Sequence, residues 1–164
     1  MLKRLGLRVH SITGAICVSL LGVLVVSETS IVLLRYVFGI GFLPLQNLAS
    51  YSFSALVVLG IPYALVRNAH VRVDILREHQ SSALKRKIDV LAILLLLFPI
   101  FGLTFYTVLP DIIYSWQIFE GSKETGGLPG LFLIKTTLPL SCLLMMFQGL
   151  VLLFGEPQAA REKK

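Results

Sequence analysis

Residues 12–37 read ITGAICVSLLGVLVVSETSIVLLRYV, with Glu28 the only acid and Arg35 the only base. A hydrocarbon layer ~30 Å thick is crossed by about 20 mostly apolar residues, each rising about 1.5 Å along a helix. This stretch is long enough. A soluble helix of that length would carry a polar face along one side, and this one does not. Three more runs repeat the pattern: 43–66, 84–116 (its mostly apolar core 88–108) and 131–154. The sequence therefore predicts an all-α integral membrane protein with four transmembrane helices. Residues 1–164 form one transmembrane domain, because the two tails, two short turns and one longer connector leave no room for a soluble core.

Composition agrees. Hydrophobic residues make up 55% of the chain and charged residues 15%. The net charge of +6 does not point to nucleic acid, because the cations gather at the ends of the apolar runs. Lys3, Arg4 and Arg8 precede the first run. Arg67, Arg72, Arg77, Lys85, Arg86 and Lys87 lie in the connector after the second. Arg161, Lys163 and Lys164 follow the fourth. Only Arg35, Lys123 and Lys135 fall on the other side. Cytoplasmic loops carry the excess of Lys and Arg, so both termini and the 67–87 connector are expected in the cytoplasm. Ser27-Glu28-Thr29-Ser30 follows the first apolar core without a small-x-small cleavage site, and apolar residues resume at Ile31. This favours an uncleaved first span over a signal peptide.

The turns are readable. Gly39 and Gly41 end the first span, and Pro44 suits the first turn of the second helix. Tyr36 and Phe38, and later Tyr106, Tyr114 and Trp116, suit the outer interfacial belt. Pro62 within the second run removes a backbone donor and predicts a kink near residues 56–59. The 67–87 connector mixes Val71, Val73, Ile75 and Leu76 with Arg72, Asp74 and Arg77. It is expected to be a short amphipathic helix on the cytoplasmic interface, its arginines reaching lipid phosphates. The third run continues past Pro110 and must tilt or project beyond the bilayer. Cys17 and Cys142 lie in apolar runs and read as small hydrophobes.

Glu28 stands out because ionisable groups in lipid are costly and call for a partner. Arg35 is two helical turns further along the same face, and Lys135 enters from the same side. An ion pair of Glu28 with Arg35 or Lys135 is the structural reading. A proton- or substrate-coupled carboxylate is the sharper one, and an interface with another subunit is the third. Lys135 by itself would snorkel to the outer surface. Gln46 and Asn47 can bond across helices. His10, His70 and His79 all fall outside the spans, without metal-ligand spacing or a thiol or acidic cluster. No catalytic, cofactor or metal site is expected.

Several segments, in order, carry a family resemblance. They are Arg35-Tyr36-Val37-Phe38, Gln46-Asn47-Leu48-Ala49, and Leu59-Gly60-Ile61-Pro62-Tyr63-Ala64-Leu65 with His70-Val71-Arg72-Val73-Asp74-Ile75-Leu76. Gly126-Gly127-Leu128-Pro129 then precedes a last span holding Lys135, Pro139 and Gln148. Together they resemble the small membrane subunit of tripartite ATP-independent periplasmic (TRAP) transporters, the DctQ-like family. This chain has Gln46-Asn47 where many members carry acids. The resemblance implies a scaffold subunit in the bacterial inner membrane, beside a large many-helix subunit that holds the substrate and ion sites. It further implies a periplasmic binding protein that delivers an organic anion, with uptake driven by an ion gradient. On that reading Glu28, Arg35, Gln46, Asn47, His70, Arg72, Asp74 and Lys135 are structural or subunit-contact residues. The rival reading is a self-sufficient four-helix exporter that couples protons through Glu28. A membrane enzyme or haem anchor would need histidines within the spans.

Overall fold

The computed structural model describes residues 2–66 and 82–154. The connector segment 67–81, with His70, Arg72 and Asp74, lies outside the described residues. Helix α1 spans Leu2–Val37 and α2 spans Leu43–Val66. Helix α3, Ser82–Ala92, runs through a π-helical turn at Ile93–Leu97 directly into α4, Phe98–Gln117. Helix α5 spans Leu131–Phe154. Among the described residues, four helical segments are long and apolar enough to cross a membrane: Arg4–Val37, Leu43–Leu65, Arg86–Gln117 and Leu131–Leu153.

The first helix begins ten residues before the apolar run does. Its basic opening turns are helical too, so at 36 residues α1 is about 54 Å long and outreaches the hydrocarbon. The third rod likewise runs unbroken through Pro110 to Gln117, as its sequence requires.

The helices do not close into a bundle. Helix α1 packs on α2, α2 on α5, and α5 on the α3–α4 rod, while α1 meets α5 only narrowly. The order is an open row, 1-2-5-4, with α5 inside it and α1 and the rod at its edges. The burial pattern follows. On α1 the covered positions include Gly6, His10, Thr13, Cys17, Leu20, Leu24, Ser27, Ile31 and Leu34, with Val9, Gly14 and Ser30 partly covered beside them. The former alternate by four and three, the seam of a left-handed helix pair. The small residues Gly6, Thr13, Cys17 and Ser27 interrupt the larger ones along that seam and let the helices approach, as expected where van der Waals fit drives association. The α2 seam is similar, with Ala49, Ser52, Ala55 and Leu59 buried.

Three details show how the seams are completed. Pro62 lacks an N–H, so the Val58 carbonyl four residues back loses its helical donor. The buried Ser141 hydroxyl of α5 donates to that carbonyl at 2.7 Å. A cross-helix bond thus meets the carbonyl that Pro62 leaves without a donor, and the helical hydrogen-bonded run of α2 continues through Pro62. At the end of the row that holds the start of α1, Gln148 Nε2 donates to the Gly6 carbonyl at 3.4 Å. Nearby, the His10 and Tyr63 rings stack at 4.5 Å, nearly parallel, over Gly14. A Cβ at Gly14 would lie 2.7 Å from the Tyr63 ring. In the rod, the π-helical turn brings Ile93 and Leu97 against Gly149, where a Cβ would stand 3.1 Å from Leu97. Wide turns of this kind re-aim side chains within a helix, and glycine opposite makes the space.

Candidate functional site

Helix α4 ends in a Schellman turn. Phe119 adopts φ 48°, its N–H reaches the Trp116 carbonyl, and the Glu120 N–H reaches the Ser115 carbonyl at 3.0 Å. A bulky residue in the left-handed region costs roughly 1–2 kcal/mol. Its ring meets Phe132 edge-on at 5.8 Å, a contact that offsets part of this. The turn delivers the Glu120 carboxylate onto the start of α5. There Lys135 Nζ lies 2.7 Å from Glu120 Oε2 and 3.1 Å from Asp111 Oδ2. The fully buried Ser115 donates its hydroxyl to the same Glu120 oxygen. The hydrogen bond from Lys135, then that from Ser115, holds the Glu120 carboxyl below the usual glutamate range.

The 118–130 loop is folded over this latch. Ser122 N–H bonds to the Leu128 carbonyl, Gly127 N–H to Glu124, and Phe132 N–H to Glu120. Gly121 pairs with Pro129 in a single antiparallel bridge. Trp116 Nε1 donates to Thr136 Oγ1 at 2.9 Å, and its ring meets Phe132 at 4.6 Å. Helix α2 supports the far side: the Tyr51 hydroxyl donates to the Leu128 carbonyl at 3.0 Å. Asn47 lies beneath Gly127, where a Cβ would stand 2.5 Å from both Asn47 Nδ2 and the Ser122 side chain. Only glycine fits there. That Asn47 nitrogen is buried and has no hydrogen-bond partner among the described residues.

The sequence-derived candidates separate into distinct places. Lys135 does not pair with Glu28. Its partners are Asp111 and Glu120, because α5 sits between α2 and α4 and its start faces the C-terminal end of the rod. It is a latch cation and not a free, snorkelling one. Glu28 and Arg35 are exposed on α1 and are unpaired with each other among the described residues. Arg35 and Gln46 line one small notch where α1 turns into α2. Asn47 faces the loop. Sequence reasoning missed Asp111, Ser115 and Glu120 as partners. The signal was present: Asp111 and Ser115 are four residues apart on one helix face, on the same side of the membrane as Lys135.

Four apolar rods in an open row, capped on one side by a polar latch and a tied-down loop, define a polytopic α-helical membrane protein. The family described as "Tripartite ATP-independent periplasmic transporters, DctQ component" matches residues 23–157. The chain belongs to this family, a transporter component. No curated protein and no solved structure matches it.

Proposed function

We propose that this chain is the small scaffold subunit of a TRAP transporter importing an organic anion, such as a carboxylate, at the expense of an ion gradient. It acts as one four-helix unit in the bacterial inner membrane, with both termini cytoplasmic, and performs no chemistry itself. Its partners are the large many-helix subunit, the periplasmic binding protein and lipid. The observation that carries this reading is the open row. Its edge helices α1 and α4 turn long apolar faces outward, and its ionisable pairs are used to fasten a loop. A scaffold needs broad side faces for a neighbouring subunit and a rigid outer edge. The latch and the Tyr51 bond supply that rigid edge on the side expected to meet the binding protein.

Proteoliposome uptake tests the reading. The large subunit with this chain and the binding protein should accumulate the anion under an ion gradient. Either membrane subunit alone should not. Transport by this chain alone would refute the scaffold role.

A further inference from the structure

Both edges of the row expose large apolar side chains, and α1 adds a carboxylate, Glu28, within its apolar run. The outward face of the rod carries Leu94, Leu95, Leu96 and Leu103, each more than half exposed, a surface that suits fluid acyl chains. On α1, beside its α2 seam, Val18, Leu21, Gly22, Val25 and Glu28 are exposed along one strip, Val18 at 70%. The hydroxyls beside this face are already used. Ser19 bonds back to the Ala15 carbonyl at 3.0 Å and Thr29 to Val25 at 2.8 Å. Glu28 has no such partner among the described residues and is exposed on the face, seven residues or about 10 Å inside Arg35. An uncompensated carboxylate at that depth is costly in hydrocarbon.

We infer that this face of α1 is the docking face for a transmembrane helix of the large subunit, and that Glu28 receives a hydrogen-bond donor or cation from that helix. The inference rests on the proposed scaffold role. The occupant is another chain and not a second copy of this one. Two copies inserted in the same orientation and paired symmetrically through this face would set Glu28 against Glu28 at equal depth, adding repulsion to desolvation.

The test uses the full chain co-expressed with its cognate large subunit in membranes. A photo-crosslinking residue is placed at Val18 or Val25, and at Leu96 or Leu103 as the opposite edge. Crosslinks to the large subunit from positions 18 and 25, and not from 96 and 103, are expected. Glu28→Leu should lower recovery of the large subunit with the tagged chain about tenfold, the equivalent of one interhelical polar contact at the strong end of its range. It should leave the thermal midpoint of the isolated chain in detergent unchanged or raised. An intact complex that crosslinks only from 96 and 103 overturns the inference and leaves the scaffold role standing. So does a crosslink from 18 or 25 to a second copy of this chain. A drop in the isolated chain's midpoint equal to the loss of recovery makes Glu28 a folding residue and also overturns it. Failure of the unsubstituted chains to associate at all overturns the scaffold role itself.

Discussion

Replacing Ser141 by alanine removes one oxygen from a site that is 2% exposed. Little packing volume is lost. The consequence falls on the Val58 carbonyl, which Pro62 has already deprived of its helical donor and which receives the Ser141 hydroxyl at 2.7 Å. An orphaned buried acceptor costs about 1–3 kcal/mol in proteins generally. Interhelical polar contacts in membranes average roughly 0.6 kcal/mol and reach about 1.7. The Val58 carbonyl lies within an apolar span, where replacement donors are scarce, so the upper part of that membrane range applies, about 1–1.5 kcal/mol. Pro62→Ala restores an N–H at the right place in an already continuous helix. In that background Ser141→Ala should cost only about 0.3 kcal/mol, giving a coupling near 1 kcal/mol. Reversible unfolding of the four proteins in mixed micelles, followed by far-ultraviolet circular dichroism, measures each corner of the cycle. Equal cost of Ser141→Ala in both backgrounds would refute the argument that proline created the need for the serine.

Other expectations follow from the outer latch and the close approaches. Lys135→Met leaves Asp111 and Glu120 facing each other without their cation, and should loosen the 118–130 loop, read as faster proteolysis at Lys123. Glu120 is held below the ordinary glutamate value of 4.5, so it adds stability above that value and loses it as pH falls through its lowered folded value. Trp116 fluorescence should therefore change on acidification below the ordinary glutamate range, and Glu120→Gln should abolish that change. Gly127→Ala forces Asn47 and Ser122 apart and should destabilise the chain by about 1–3 kcal/mol, measured by thermal unfolding. Gly14→Ala should unseat the Tyr63 ring from His10, with a smaller loss of about 1 kcal/mol.

The number, type and approximate limits of the spanning helices were legible in the sequence alone. Lipid makes the rule simple: about 20 apolar residues with their backbone bonded internally can cross, and little else can. The glycine turn at Gly39, where φ is 67°, and the run through Pro110 were legible for the same local reasons. That Lys135, Asp111 and Glu120 share one side of the membrane also follows from the alternation of the spans. Which of them meet does not. Sidedness alone offers Lys135 to Glu28, yet the tertiary structure gives it to Asp111 and Glu120. Partner choice depends on which helix lies beside which, and helix order in lipid is set by the fit of small-residue seams that hydropathy does not record. The same is true of Ser141 and Val58, 83 residues apart, and of Gln148 and Gly6, 142 residues apart. Hydrophobic length chose the solvent and the elements. Only packing decided the row 1-2-5-4, the latch that closes one end of it, and the isolation of Glu28 on its edge.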